Sequence, residues 1–540
     1  MRFGSPIPSM PTRLLLAFAA ALLIVRLPSL VQPMGPDQGL YAYVGERIRH
    51  GDLAYRDAWD QKPPGIHYIY AGLRAISSRD VVVPASDLAV AALIAALLWF
   101  VGSRIAGPIA GGWSAVLFLL LSDPSLTRLA GVRIRSQGET FIALAVTGAL
   151  ALLALGTKSA RGTSGAGGAG ARGPVVLLGA GVLLGAAFAI KYNAGLYGLV
   201  LVVALAVSGR LTLGNLVWLC AGTALIPGAL AAVFWRGGAL GDVYQATIAY
   251  NLHYSGQTYG GPMDVARYLV MFPIQHARVD ALWFIGGIGC AVLVVAAIWN
   301  RALLVPVAWV ALACGSIAIN GSRNLPQYFV QAAPALALAA GVAVTLTIHR
   351  LPRIVVWVVA VVLAVFVWRA GDDPFPKLAS NVWHDASYGI GRIDRRAHLA
   401  RYGGTRESDK FSALDNMDLG AMFSSRTRPE ETVFLFGFSP GAYVYGDRKS
   451  ASRFFWSRPV ILDFNREDPG YGVAGLATDL ARAQPALVVL QMRDWAPDVQ
   501  DSGPFFLAQP KLAVWLHAEY HQIPTIDGFQ AWERNGRGSR

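Results

Sequence analysis

Apolar runs separated by brief polar breaks fill the first two thirds of the chain. A helix of roughly 17–22 mostly apolar residues is long enough to cross a bilayer. Eleven such stretches occur, over about 13–31, 86–105, 107–122, 138–156, 174–191, 194–209, 213–235, 280–299, 302–320, 327–348 and 352–370. The polar intervals are unequal: 32–85, 236–279 and everything after 371 are too long for simple connections. In the first of these, Asp37 is placed to cap a short helix. Leu40, Val44 and Ile48 would form its single apolar stripe and Gly51 its end, a pattern suited to the membrane interface. After residue 371 the period changes. A helix is expected over Phe411–Ser425, a strand over Thr432–Phe436, a helix over Gly475–Ala483 and a strand over Ala486–Leu490. That order predicts a small α/β domain with some parallel pairing. The chain therefore reads as a transmembrane domain, 1–371, followed by a C-terminal α/β domain, 372–540. No solenoid-type repeat is visible.

Composition agrees with the pattern and closes other classes. Of 540 residues, 54% are hydrophobic and 15% charged, with mean hydropathy +0.44; soluble proteins average roughly 25% charged. Disorder, a collagen-like chain and a disulfide-stapled scaffold are excluded, and a polytopic membrane protein is expected. The net charge of +13 is not a nucleic-acid signal. Residues 1–371 hold 26 Lys and Arg against 12 Asp and Glu, whereas 372–540 hold 20 against 21. The excess sits among the apolar segments, where cytoplasmic loops are basic. Cys220, Cys290 and Cys314 fall inside apolar runs and read as small core residues, with no metal-like spacing.

The distribution of positive charge orients the chain. With the N-terminus inside, the cytoplasmic connections carry Arg104, Lys158, Arg161, Arg172, Arg210, Arg301, Arg350 and Arg353, in line with the positive-inside rule. Eleven spans then place the C-terminal domain outside, in the periplasm of a bacterial inner-membrane protein. Thr157–Gly173, rich in Gly, Ala and Ser, reads as a flexible cytoplasmic linker. Arg2 and Arg13 precede Leu14–Val25, but no small-residue cleavage site follows before Arg26 and Pro28. The first span is read as a retained helix.

Candidate chemistry lies at the external ends. Seven of the 12 acids before residue 372 fall between 37 and 87: Asp37, Glu46, Asp52, Asp57, Asp60, Asp80 and Asp87. Ionisable groups near hydrocarbon are costly and point to function. Asp37 follows the first span and Glu139 opens the fourth, although a helix cap and an exposed helix-start acid would explain them equally. Positive charge is unexpected in short external loops, yet Arg128, Arg133 and Arg135 lie there, with Lys62, Lys191 and Arg323. Cations beside a carboxylate suit a phosphorylated lipid donor and a general base; lipid-headgroup contact is the plainer explanation for any one arginine.

These segments resemble a known group. Asp37-Gln-Gly-Leu-Tyr-Ala-Tyr43, Gly51-Asp-Leu-Ala-Tyr-Arg-Asp57 and Trp59-Asp-Gln-Lys-Pro-Pro-Gly-Ile-His-Tyr68 are similar to the first external loop of membrane glycosyltransferases of the C-type fold. The branch resembled contains protein O-mannosyltransferases, lipid A aminoarabinose transferases and lipopolysaccharide galacturonosyltransferases. Ser136-Gln-Gly-Glu-Thr-Phe141, Gly185-Ala-Ala-Phe-Ala-Ile-Lys191 and Tyr328-Phe-Val-Gln-Ala-Ala-Pro334 extend the likeness across about 10–370. The resemblance implies that Asp37 is the catalytic base and Lys62 a donor-phosphate contact, with Glu139, Lys191, Arg323 and Tyr328 as further substrate-binding candidates. Gln38 stands where many relatives carry a second acid, and Gln327 where they carry a histidine before the Tyr-Phe pair. No metal ligand is assigned and no cofactor is certain; a divalent cation is possible chemistry for the family, and Gln38 puts it in doubt.

The expected function is transfer of a sugar from a polyprenyl-phosphate donor to an external lipid, glycan or protein hydroxyl, with inversion. The protein's partners would be that donor, the acceptor and membrane lipids, not nucleic acid. The alternative is a transporter or flippase of a lipid-linked glycan or anion, which would favour charges at the bilayer midplane and matched halves. Two other motifs are set aside. Gly437-Phe-Ser439-Pro-Gly441 has the spacing of a hydrolase nucleophile elbow, but Pro440 has no N–H for an oxyanion hole. His517 and His521 stand four apart, as if on one helix face, without a third ligand.

Overall fold

The structure is a computed structural model. It describes residues 9–126, 128–129, 132–133, 135–156, 172–256, 258–348, 374–403 and 411–536, with isolated positions between 352 and 365. The linker expected over 157–173 therefore lies almost wholly outside the described residues, as does most of the eleventh span.

Helices α1 (Ser9–Arg26), α4 (Val82–Ala106), α5 (Pro108–Leu121), α6 (Gly138–Gly156), α7 (Arg172–Ile190), α8 (Gly198–Val207), α9 (Leu213–Arg236), α13 (Ala281–Ala296), α14 (Leu304–Ile319) and α15 (Ala333–Ile348) correspond to the first ten expected spans. Seven helical segments among the described residues are long and apolar enough to cross a membrane. An eighth crossing exists only if α12 (Pro262–Ala277) and α13, bent by 116°, count as one. The expected spans 107–122 and 194–209 are shorter than anticipated. α5 has 14 residues, about 21 Å of helix against a hydrocarbon core of about 30 Å. α8 is preceded by a 3-10 turn, Tyr192–Tyr197. Both shortfalls have a local cause: Gly107, at φ 95°, breaks the chain between α4 and α5, and Lys191 adopts an extended backbone after α7.

Small residues let the helices approach closely, the usual device where lipid supplies no hydrophobic drive for association. Gly181 and Gly185 of α7 lie against Leu219 and Thr223 of α9, and Gly222 of α9 against Leu178. On the lipid-facing side, α9 exposes Leu213, Val217, Trp218, Leu225 and Trp235.

The first long polar interval forms α2 (Pro36–Arg49) and α3 (Gly65–Ile76). The interfacial amphipathic helix expected here is corrected: Gln38 through Gly45 are all buried. Protein rather than lipid covers both flanks of α2, because α3 packs on one and the C-terminal unit on the other. The second interval contains α10 (Leu240–Tyr244), one π-helical turn over Gln245–Ala249, α11 (Tyr250–Gly256) and α12.

The C-terminal unit begins with α16 (Pro374–Gly389), α17 (Arg395–Ala400) and α18 (Ala413–Arg426). A tiny hairpin earlier in the chain supplies β1 (Arg128–Leu129) and β2 (Val132–Arg133). The C-terminal sheet contains β3 (Val433–Phe436), β4 (Leu487–Gln491), β5 (Tyr520–Ile523) and β6 (Phe529–Arg534) in the order β3-β4-β6-β5. The expected parallel pairing is present between β3 and β4, with Val433 opposite Leu487. Both strands are wholly buried and, but for Gln491, apolar, as parallel strands covered on both faces are. β6 and β5, which the sequence reading did not anticipate, add antiparallel neighbours. Helix α19 (Gly441–Gly446) follows β3 and α20 (Gly472–Ala483) precedes β4.

The set-aside motifs are resolved here. Ser439 is buried and its hydroxyl meets the Gln491 side chain at 3.1 Å. The motif's last glycine lies against α2, where a Cβ on Gly39 would stand 2.9 Å from the Gly441 nitrogen. His517 and His521 do not share a helix, since α21 (Pro510–Glu519) ends between them and His521 lies in β5.

Docking of this unit onto the segment that carries α2 and α3 is extensive. Tyr43 packs against Phe455 and Tyr443, with ring centres 4.5 and 4.9 Å away, and accepts a bond from the Ser450 N–H. The Trp59 N–H donates to the Arg453 carbonyl, and Trp456 Nε1 donates to the Trp59 carbonyl. One apolar core runs from the bundle through the loop into the sheet.

Candidate active site

Asp37 lies in the first turn of α2, but Gly35 is the N-cap, so the expectation that Asp37 caps the helix is corrected. Capping is done by Gln38, whose Oε1 accepts from the Gly35 N–H at 2.6 Å. Gln38 Nε2 donates to the Arg135 carbonyl at 2.6 Å. Both ends of this amide are thus committed to backbone, and the position offers no metal ligand. Among the described residues, no three of His, Cys, Asp or Glu converge as a ligand set. Asp37 is largely buried, and its carboxylate is unneeded by its own helix.

The loop Trp59–Pro64 brings Lys62 to the same place. Its position follows from a close approach: a Cβ on Gly65 would lie 2.7 Å from the Ala189 backbone. Only glycine lets the first turn of α3 rest on the end of α7, which carries Lys191. Lys191 Nζ pairs with Glu139 at the start of α6 and stands 4.5 Å from the centre of the Tyr328 ring. The exposed helix-start acid considered for Glu139 is therefore not what the fold contains, since that carboxylate is 2% exposed.

The four charges interact with one another. Burial raises the Asp37 pKa above the ordinary carboxylate value; Lys62 and Lys191 act to lower it, while Asp60 and Glu139 add to the rise. A base whose pKa is lifted toward the working pH is better matched to proton abstraction. Beside this cluster opens a cavity of about 230 Å³, lined by Lys62, Lys191 and Tyr328 together with Asn193, Asn251 and Asn320. The asparagines were not anticipated. Asn251 Nδ2 donates to the Gln61 carbonyl, holding α11 against the Lys62 loop, and Asn193 Nδ2 donates to the Ser316 carbonyl. The π-helical turn just before Asn251 is a feature often found at functional sites. His67 was also not singled out, and Asp60 only as one of the seven acids between 37 and 87. Both are buried, with His67 Nε2 3.2 Å from Asp60 Oδ2, and both lie inside the Trp59–Tyr68 motif, where their signal was legible.

Arg323 is half-buried in the loop before the 3-10 turn that carries Tyr328. It is not among the described residues lining the cavity. Arg135 is a clear correction to the reading of external cations as phosphate contacts. It is 2% exposed, pairs with Asp87 at 3.2 Å and donates to the Ser29 and Pro84 carbonyls. The side chains of Arg128 and Arg133 lie outside the described residues.

Comparison with known structures follows this geometry. The chain matches ArnT from Cupriavidus metallidurans bound to undecaprenyl phosphate with a TM-score of 0.57, at 16% identity, over 97% of this chain and 98% of that one. ArnT from the same organism in the apo state gives 0.55, at 17% identity, over 96% and 98%. No protein-family model and no curated protein matches the sequence. At such identity the likeness is one of fold, and its near end-to-end coverage includes the C-terminal unit. The chain has the C-type glycosyltransferase fold: a polytopic helical membrane protein with a C-terminal α/β domain.

Proposed function

We propose that this protein transfers a sugar from a polyprenyl-phosphate-linked donor to a hydroxyl of a lipid, glycan or protein acceptor, with inversion at the anomeric carbon. The observation carrying this reading is the meeting of Asp37, Lys62, Glu139 and Lys191 beside one cavity. Undecaprenyl phosphate in the ArnT structure supports the class of donor.

In this reading the Asp37 carboxylate takes the proton of the acceptor hydroxyl. The acceptor oxygen bonds to the anomeric carbon as the bond from that carbon to the phosphate oxygen breaks. The electron pair leaves on the polyprenyl phosphate, where Lys62 and Lys191 offset the developing charge. Glu139 holds Lys191 in place, and Tyr328 covers its ammonium face. Arg323 is assigned a more distant part in donor binding. The leaving group is already activated, so no nucleotide fold is required.

We further read residues 1–371 as the catalytic membrane domain and 372–540 as a domain that clamps α2 from outside, with the site facing the periplasm across the inner membrane. The function is tested with purified protein in vesicles and a polyprenyl-phosphate sugar, following release of polyprenyl phosphate. Donor consumption by the wild type but not by Asp37→Asn is expected; equal consumption by both would overturn the assignment. Sidedness is tested separately. Cysteines introduced at Ser77 and Ser425 should be labelled from outside the cell and one at Ser159 should not. Labelling of Ser425 only after permeabilisation would reverse the orientation.

A further inference from the structure

A second cleft lies at the other end of α2. It has a volume of about 680 Å³ and is walled by α2 and α3 on one side and by the α19 segment of the C-terminal domain on the other. Five cations line it, Arg47, Arg49, Arg74, Arg448 and Lys449, against the carboxylates Glu46 and Asp447. Asp52 and Asp80 stand behind the lining, the first on Arg47 and Lys449, the second on the Tyr445 hydroxyl. Counting them as well leaves the cleft positive.

That positive charge is not consumed internally. Glu46 is shared by Arg49 at 2.8 Å and Arg74 at 2.7 Å. Arg448 donates to the carbonyls of Ser424, Thr427, Gly446 and Asp447 and to the Thr427 hydroxyl, all neutral acceptors, so it lends the cleft charge rather than a free donor. Arg74 is 5% exposed, and its Nη1 is buried without a hydrogen-bond partner. An unpaired buried guanidinium N–H is costly. Arg74 therefore adds charge behind the cleft wall, and the planar donors of arginine suit the oxygens of phosphate.

We propose that this cleft binds phosphate groups on a glycan and anchors the acceptor while Asp37 acts at the opposite end of the same helix. The acceptor role rests on the glycosyl-transfer reading; the binding itself does not. Nine residues separate Asp37 from Glu46, about 14 Å of helix. Protein covers α2 between these ends, so an acceptor that reaches both passes around it and contains more than one sugar unit; the cleft volume lies within the range of small-molecule sites.

The test uses the full chain in phosphatidylcholine nanodiscs, with inositol hexakisphosphate as a soluble phosphorylated ring. Arg49→Gln with Lys449→Gln is the chosen pair, because Glu46 keeps Arg74 and Asp52 keeps Arg47. Salt-sensitive binding by the wild type is expected, weakened at least about tenfold by the double variant and unchanged in Asp37→Asn. With a phosphorylated glycan acceptor, the double variant should raise KM and leave kcat in place. Equal affinity in wild type and double variant would overturn the site. Charge dependence seen only toward phosphatidylglycerol in the nanodisc, and not toward the soluble ring, would overturn it in favour of a lipid-headgroup contact. If Asp37→Asn retains full transfer while ring binding is lost in the double variant, the binding site stands and the catalytic reading fails instead.

Discussion

Two charged clusters sit side by side at the end of the helical bundle, joined through Gln38, and they differ in what surrounds them. Around Arg135, the Asp87 carboxylate and the Ser29 and Pro84 carbonyls enclose the guanidinium, and Arg26 pairs with Asp123 at 3.1 Å in the same manner. Around Asp37, comparable residue types face a cavity, and the carboxylate is not consumed by its helix. Buried ion pairs are weak evidence for function, because removing one partner is costly wherever they occur. A cavity of about 140 Å³ adjoins Arg26, Asp87 and Asp123 as well, so what separates the two clusters is that both of these carboxylates are held in ion pairs, whereas Asp37 is left unused by its helix.

The sharpest test of that contrast is Asp37→Asn. Asparagine preserves size and polarity but accepts no proton from a hydroxyl. Membrane expression should be normal while transfer falls by roughly 10²–10⁴-fold; full activity would move attention to Glu139. The reverse signature is expected on the other side. Asp87→Asn leaves the Arg135 charge buried without its counter-ion and should destabilise the fold by about 3–5 kcal/mol. Lower yield and thermal stability are the readouts, and a stable Asp87→Asn protein with selectively lost transfer would erase the distinction.

Smaller effects refine the picture. Lys62→Ala should weaken use of the lipid-phosphate donor about tenfold or more, and Lys62→Arg should be partly tolerated. Unchanged donor dependence would remove Lys62 from the site. The pH dependence of kcat/KM offers the finest test. Transfer needs Asp37 ionised, so activity should rise with pH along an acid limb above the ordinary carboxylate value of 3.8. Lys62 lowers that pKa, so Lys62→Gln should move the limb to higher pH. A limb that does not move would show that the two groups are not coupled.

Much of this was legible in the sequence. Apolar run length marked the helices, and the change of period after residue 371 marked β3, β4 and the helix before β4. β5 and β6 escaped because their alternation is weak: His521 and Gln522 interrupt the first, and Gln530 and Glu533 the second. Asp37, Lys62, Glu139 and Lys191 were visible as charges at external helix ends. The same criterion selected Arg135, for charge placement along the chain does not reveal which cations find carboxylates.

What the sequence by itself determined is the material that must avoid water and the material that must meet it: long apolar segments, and acids gathered between 37 and 87. These follow from local composition and spacing, which act over one or two helical turns. Only the tertiary structure decided that α2 is clamped between α3 and the C-terminal domain rather than lying on a membrane, since amphipathicity specifies that a face is covered and not by what. It likewise decided that Lys62 and Lys191, 129 positions apart, share one cavity with Tyr328. Their meeting depends on Gly65 resting against Ala189, a contact set by packing in three dimensions, to which no local pattern refers.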